Sequence, residues 1–177
     1  MRMNCVPIST WLAQQQYHLL IDDMNNIVNG KCLYVGLRHD SCDYWYDTLI
    51  DNNNTVDILE IFQKNVDYLR TLDSWNIIQG DVTTYDISTY DCLYWIQGPE
   101  HVEESKLNEL LPRIAKLKHY FLSVPNADIP NHPSVEQEPM FDNQYERHVS
   151  RLNKAFFLKF FPEECILLVD DVIIVRN

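Results

Sequence analysis

The chain has 177 residues, 46% of them apolar and 23% charged, which suits one domain with a sizeable core and excludes wholesale disorder. There are 26 acidic residues against 14 basic ones, for a formal charge of −12. A surface that negative repels phosphate backbones and argues against stand-alone binding to duplex nucleic acid.

Ser9 to Val28 reads as a helix. Ser9 or Thr10 can cap it, Leu12, Leu19, Leu20, Met24 and Ile27 fall near one face, and Asn29-Gly30 ends it. Residues 1–29 thus form a helical arm ahead of the main domain, 30–177. KCLYVG is an apolar run of strand length closing on Gly36, and SCDYWYDTLI is a short helix capped by Ser41, its Tyr44-Trp45-Tyr46 cluster reading as core packing. After the DNNN loop, TVDILEIF is a second strand ending on Glu60, followed by a helix from Gln63 to Leu72.

The alternation continues with short strands at Asn76 to Gln79, closing on Gly80-Asp81, and at Asp91 to Ile96, closing on Gln97-Gly98-Pro99. Val102 to Leu117 is helical by the spacing of its leucines, with Pro112 expected to kink or split it. Glu100, Glu103 and Glu104 read as favourable first-turn acids of that helix. His119 to Val124 is a fifth strand. Pro125 to Ser150 has four prolines and few apolar residues, and a structureless stretch of about 25 residues in a small domain is usually a binding loop or lid. Asn153 to Phe161 is a short amphipathic helix, and CILLVDDVIIV is a hairpin turning at Asp170-Asp171.

Strands that are apolar throughout, alternating with helices, predict an α/β domain: a mostly parallel sheet covered on both faces and closed by an antiparallel hairpin. No stretch approaches the roughly 18 apolar residues of a membrane span, and MRMNCVPIST lacks a signal-peptide core. A cytoplasmic protein without membrane association is expected. The five cysteines are scattered without a C-x-x-C pair, and no spacing among His18, His39, His119 and His132 suggests a metal site. No metal is therefore expected.

In such folds ligands rest beyond the carboxyl ends of the strands. Gly36, Glu60, Asp81 and Gln97-Gly98 follow the first four strands, so polar or glycine residues stand at each of these positions. An acid 24 positions after Gly36 is where a carboxylate holds a ribose diol. The turn lacks G-x-G-x-x-G, with Arg38 and Asp40 in its later positions, and Asp40 would repel a pyrophosphate. A ligand with a ribose and an ammonium-bearing tail fits better than a dinucleotide.

The series CLYVG, TVDILEIF, IIQGDV, YDCLYWIQGPEHV and the terminal hairpin resembles the class I S-adenosylmethionine-dependent methyltransferases, of the small bacterial or phage type, over roughly Gly30 to Val175. WIQGPEHV and NQYERHVS carry the resemblance further. It implies a Rossmann-like three-layer sandwich with a seven-stranded sheet, S-adenosylmethionine as cofactor, and methyl transfer to a small molecule or, second, a protein. Gly36 matches the first glycine of the family's loop and Glu60 the acid on the ribose. Ile61 and Phe62 match the residues flanking adenine, Asp81 the acid on the adenine amino group, and Val82 its neighbour. Asp40 falls in the same loop, while Gln97 and Gly98 match the motif nearest the transferred methyl. Tyr34 stands where the family has an acid.

If the acceptor starts protonated, a base helps, and histidine is the usual choice near neutral pH. The candidates are His101 in GPEHV and His148 in YERHVS, the latter with Glu146 two residues before it. Pro125 to Ser150 would bind the acceptor. An alternative of another class is a catalytically silent copy of the fold serving as scaffold or regulatory subunit. A nicotinamide-dependent oxidoreductase is disfavoured by the missing glycines.

Overall fold

Consecutive apolar positions, rather than alternating ones, make the central strands. The computed structural model describes residues 14–37, 52–71, 75–130 and 143–177. Within them β1 (Lys31–Val35), β2 (Thr55–Glu60), β4 (Cys92–Ile96) and β5 (His119–Pro125) are buried along almost their whole lengths, as strands covered on both faces must be. With β3 (Asn76–Gln79), β6 (Ile166–Val169) and β7 (Val172–Arg176) they form one sheet in the order β3-β2-β1-β4-β5-β7-β6. Strands β1 to β5 run parallel; β7 is antiparallel to both β5 and β6. The seven-stranded, mostly parallel sheet with its terminal hairpin is the architecture expected from the sequence.

The side chains divide between two layers with the strand period of two. Leu33, Val35, Leu59, Leu93, Trp95 and Leu122 point to one face, where they meet α3 (Glu104–Ile114) and α4 (Lys154–Phe157). Cys32, Tyr34, Ile58, Tyr94 and Phe121 point to the other, under α1 (Gln14–Asn25) and α2 (Gln63–Arg70). Tyr34, which replaces the family acid, is therefore core. The helix of the N-terminal arm covers the sheet: Leu20 and Met24 are fully buried, the Tyr94 hydroxyl donates to Asp23 Oδ2 at 3.1 Å, and Arg176 Nη1 donates to the Leu19 carbonyl at 3.3 Å.

Three expectations change. Pro112 neither splits α3 nor ends it; the helix runs from Glu104 to Ile114 with Pro112 inside. An internal proline costs about 3 kcal/mol, but Leu107, Leu110, Leu111 and Ile114 are buried from this helix, each contributing about 1.5–3 kcal/mol. The helix also starts at Glu104 and not Val102, because Pro99–His101 forms its own 3-10 turn. The last helix is only Lys154–Phe157, capped by Asn153, whose Oδ1 accepts from Phe156 N at 3.0 Å. The predicted Ser9–Thr10 cap, the 41–50 helix and Asp40 lie outside the described residues. No helix among the described residues is long and apolar enough to cross a membrane.

Candidate functional site

The strand order reverses between β1 and β4, which opens a crevice beyond their carboxyl ends. Two glycines border it for different reasons. Gly36 has φ of +75°, a conformation that only glycine adopts without strain, and its N–H donates to the Leu59 carbonyl at 2.9 Å. Among the described residues a Cβ there would find only Trp95 Nε1, at 4.0 Å, so backbone conformation and not contact is the constraint. At Gly98 contact is the constraint, because a Cβ would lie 1.9 Å from the same Nε1. The Trp95 indole thus lies against both turns. Between them, Gln97 takes a positive φ of 48°. Its backbone N–H donates to Ser123 O and Oγ at 3.0 and 3.1 Å, and its Nε2 reaches Ser123 Oγ at 3.3 Å.

On one side of the crevice the ends of β1, β2 and β3 stand in register: Val35 faces Leu59, and Glu60 faces Gln79. Gly36, Glu60 and Asp81 are thereby brought to one row. The Glu60 side chain is buried, and its Oε1 accepts from Phe62 N at 2.7 Å. Burial pushes its pKa up to about 7, against hydrogen bonds from Phe62, Asn65 and Ile61, and the nearby charge of Glu146 pushes the same way. Ile61 and Phe62 follow it, half-buried, with the Phe62 ring 6.4 Å from that of Tyr145. Asp81 Oδ1 accepts from Thr83 N at 2.9 Å and Thr83 Oγ1 at 2.7 Å, and Val82 beside it is buried. Arg113 of α3 ties this turn down through the carbonyls of Thr83 and Tyr85.

The other side is built around the 3-10 turn after β4. Glu100 is buried, its side chain only 3% exposed, and among the described residues neither carboxylate oxygen has a hydrogen-bond partner beyond the residue's own backbone N–H. Burial pushes its pKa up to about 8. The opposing group is His148, 4% exposed, with Nε2 3.9 Å from Glu100 Oε1. The His101 and His148 rings meet edge to face with centroids 4.8 Å apart, and His101 Nδ1 lies 3.2 Å from the Arg147 carbonyl. Segment 143–150 is laced onto the turn: Val149 N and Ser150 N donate to the Glu100 carbonyl at 2.9 and 3.1 Å, and Ser150 Oγ to the Val102 carbonyl at 2.6 Å. Glu146 closes a 3-10 turn, where Asn143 Nδ2 donates to its Oε1 at 3.4 Å.

The acid set 3.9 Å from His148 is Glu100, which reads from sequence as a first-turn helix residue, and the charge of Glu146 reaches Glu60. The fold also brings ligand atoms of Glu100, His101 and His148 within 4.8 Å of one another. One signal for Glu100 was present, since it follows a strand end just as Glu60 and Asp81 do. Its partner in space is 48 positions away, and no local pattern links the two.

No protein-family model matches this sequence, and no curated protein does. Solved structures do. An S-adenosylmethionine-dependent methyltransferase from Clostridium acetobutylicum aligns over 96% of this chain and 93% of its own, with a TM-score of 0.62 and 9% identity. Magnesium protoporphyrin IX methyltransferase from Synechocystis, with S-adenosylmethionine bound, aligns over 92% and 77% with a TM-score of 0.61 and 12% identity. A chain from Rhodobacter sphaeroides, provisionally assigned to the zinc-dependent alcohol dehydrogenases, gives 89% and 87%, 0.63 and 12%. The chain has the class I S-adenosylmethionine-dependent methyltransferase fold.

Proposed function

We propose that this protein transfers a methyl group from S-adenosylmethionine to a small-molecule acceptor, with a protein acceptor as the second choice. The observation that carries the reading is the row of Gly36, Glu60 and Asp81 at three adjoining strand ends beside the crevice. The antiparallel β7, lying between β5 and β6, also departs from the 3-2-1-4-5-6 order of dinucleotide-binding sheets.

The residues fit a nucleoside. Both Thr83 bonds to Asp81 go to Oδ1, and Oδ2 takes none among the described residues, so it can accept from an adenine amino group with Val82 alongside. Glu60 would hold the ribose hydroxyls, and Ile61 and Phe62 would flank the base. The turn at Gly36 leaves room for close backbone approach, and Gln97 and Gly98 would border the β4 side.

When bound, S-adenosylmethionine supplies an electrophilic sulfonium methyl. The chain contributes chiefly position, since holding two reactants in line is worth up to roughly 7–11 kcal/mol. His148 and His101 stand beyond β4, where an imidazole can take a proton leaving the acceptor. Glu146 lies in the same segment as His148, and its charge adds to the upward push that burial gives the Glu60 pKa.

Calorimetric titration with S-adenosylhomocysteine and S-adenosylmethionine, with NAD as control, tests this reading. Micromolar binding of the first two alone is expected, weakened by about 1–3 kcal/mol in Asp81→Ala, which removes an acceptor from a buried amino group. Absence of binding to both would overturn the reading and leave a catalytically silent scaffold.

A further inference from the structure

We propose that Glu100, His101 and His148 bind one divalent transition-metal ion, of the zinc, cobalt or manganese class. Two imidazoles and one carboxylate make a ligand set such ions favour, and three protein ligands leave a position open for water or an acceptor oxygen.

The Glu100 carboxylate is buried on the 3-10 turn, and among the described residues neither oxygen has a hydrogen-bond partner beyond the residue's own backbone N–H. A buried acceptor left in that state is costly, the more so when charged. Its side chain is 3% exposed, and His148 Nε2 stands 3.9 Å from Oε1, beyond hydrogen-bonding distance. A metal ion between them would satisfy the carboxylate.

The distances suit that placement. Ligand atoms about 2.1 Å from a tetrahedral ion stand about 3.4 Å apart. The Glu100–His148 separation of 3.9 Å is close to this, and the widest spacing of 4.8 Å needs only small side-chain rotations. His101 is oriented as metal-bound histidines are. For Nδ1 to bond the Arg147 carbonyl it must carry the proton, which puts the lone pair of the neutral ring on Nε2. The site is also preorganised. Glu100 and His101 share one 3-10 turn, and the bonds from Val149 N, Ser150 N and Ser150 Oγ bring His148 to it.

The proposal goes beyond methyl transfer and does not depend on it; a bound ion would take the imidazole lone pairs otherwise open to a proton. The probe is therefore Co2+ alone, titrated into the full chain and followed by its visible absorption. One equivalent is expected to bind. Glu100→Gln and His148→Ala should each lower the affinity at least about 10-fold, while His18→Ala, on exposed α1 surface, leaves it unchanged. Glu100→Gln keeps the shape and removes a buried charge, so circular dichroism should show it folded; His148→Gln serves if His148→Ala does not fold. No Co2+ binding by the unaltered chain at millimolar concentration would overturn the proposal. So would binding undiminished in the folded Glu100 and His148 variants, which would put the ion elsewhere on the acidic surface. S-adenosylhomocysteine titrated into the same samples keeps failure of the metal site distinct from failure of the cofactor site.

Discussion

Glu60 and Glu100 are both buried carboxylates at or just beyond the ends of strands, and burial raises both, to about 7 and about 8. They differ in what satisfies them. Glu60 is met by its neighbours in sequence, through Phe62 N, Asn65 and Ile61. Among the described residues Glu100 has no hydrogen-bond partner beyond its own N–H, and what it faces arrives from His148 in a distant segment. A carboxylate satisfied locally is ready to share a lone pair with ligand hydroxyls. One without donors requires a positive ligand or a proton. The two sides of one crevice are therefore suited to different chemistry.

The largest test of that contrast is pH. The folded pKa of Glu60, about 7, lies above its ordinary value of 4.5, so the fold prefers the protonated acid. Its stabilising contribution is complete below pH 4.5 and is lost as pH rises to 7, about 3 kcal/mol in all. Urea unfolding at pH 5 and pH 8 should show this loss, and Glu60→Gln should reduce it, leaving the part due to Glu100 and Asp23, whose burial also raises them, to about 8 and about 6. An unchanged slope in Glu60→Gln would assign the loss to another group. Ligand affinity should run the opposite way, strengthening as Glu60 ionises.

Next in size is the pair of glycines. Gly98→Ala drives a methyl into the Trp95 ring and should cost about 1–3 kcal/mol as overpacking. Gly36→Ala meets open space and should cost about 1–2 kcal/mol from its left-handed backbone alone. Thermal unfolding separates the two, and a Gly98→Ala protein as stable as the unaltered chain would mean that Trp95 can move aside. The smallest effect belongs to Ser150→Ala. Losing its bond to the Val102 carbonyl should cost about 1 kcal/mol and weaken Co2+ binding, with S-adenosylhomocysteine affinity unchanged. If that affinity fell as well, the two sides of the crevice would not be independent.

The same contrast explains how much the sequence discloses. The strands are legible because unbroken apolar runs such as KCLYV and CLYWI have one structural use. The row of Gly36, Glu60 and Asp81 is legible because each closes such a run. Pro112 misleads because its penalty is local, while the burial that outweighs it is tertiary. Glu100 misleads because GPEHVEE satisfies the rules for a helix start, and only the path of residues 143–150 shows what faces it. His148 is singled out with Glu146 two residues before it, and the fold also sets Glu100, from beyond another strand end, 3.9 Å away.

The antiparallel β7 also governs the order in which the molecule can be completed. It lies between β5 and β6, although it follows both in the chain, and five register pairs join it to β5. Until residues 172–176 are in place, β5 presents a bare apolar edge of the kind that recruits other chains. Arg176, on this same strand, bonds the carbonyl of Leu19 across 157 positions, so the first helix gains that anchor only when the last strand docks. Sheet closure is thus a late, long-range event in folding, and its rate sets how long the nascent domain remains exposed to aggregation.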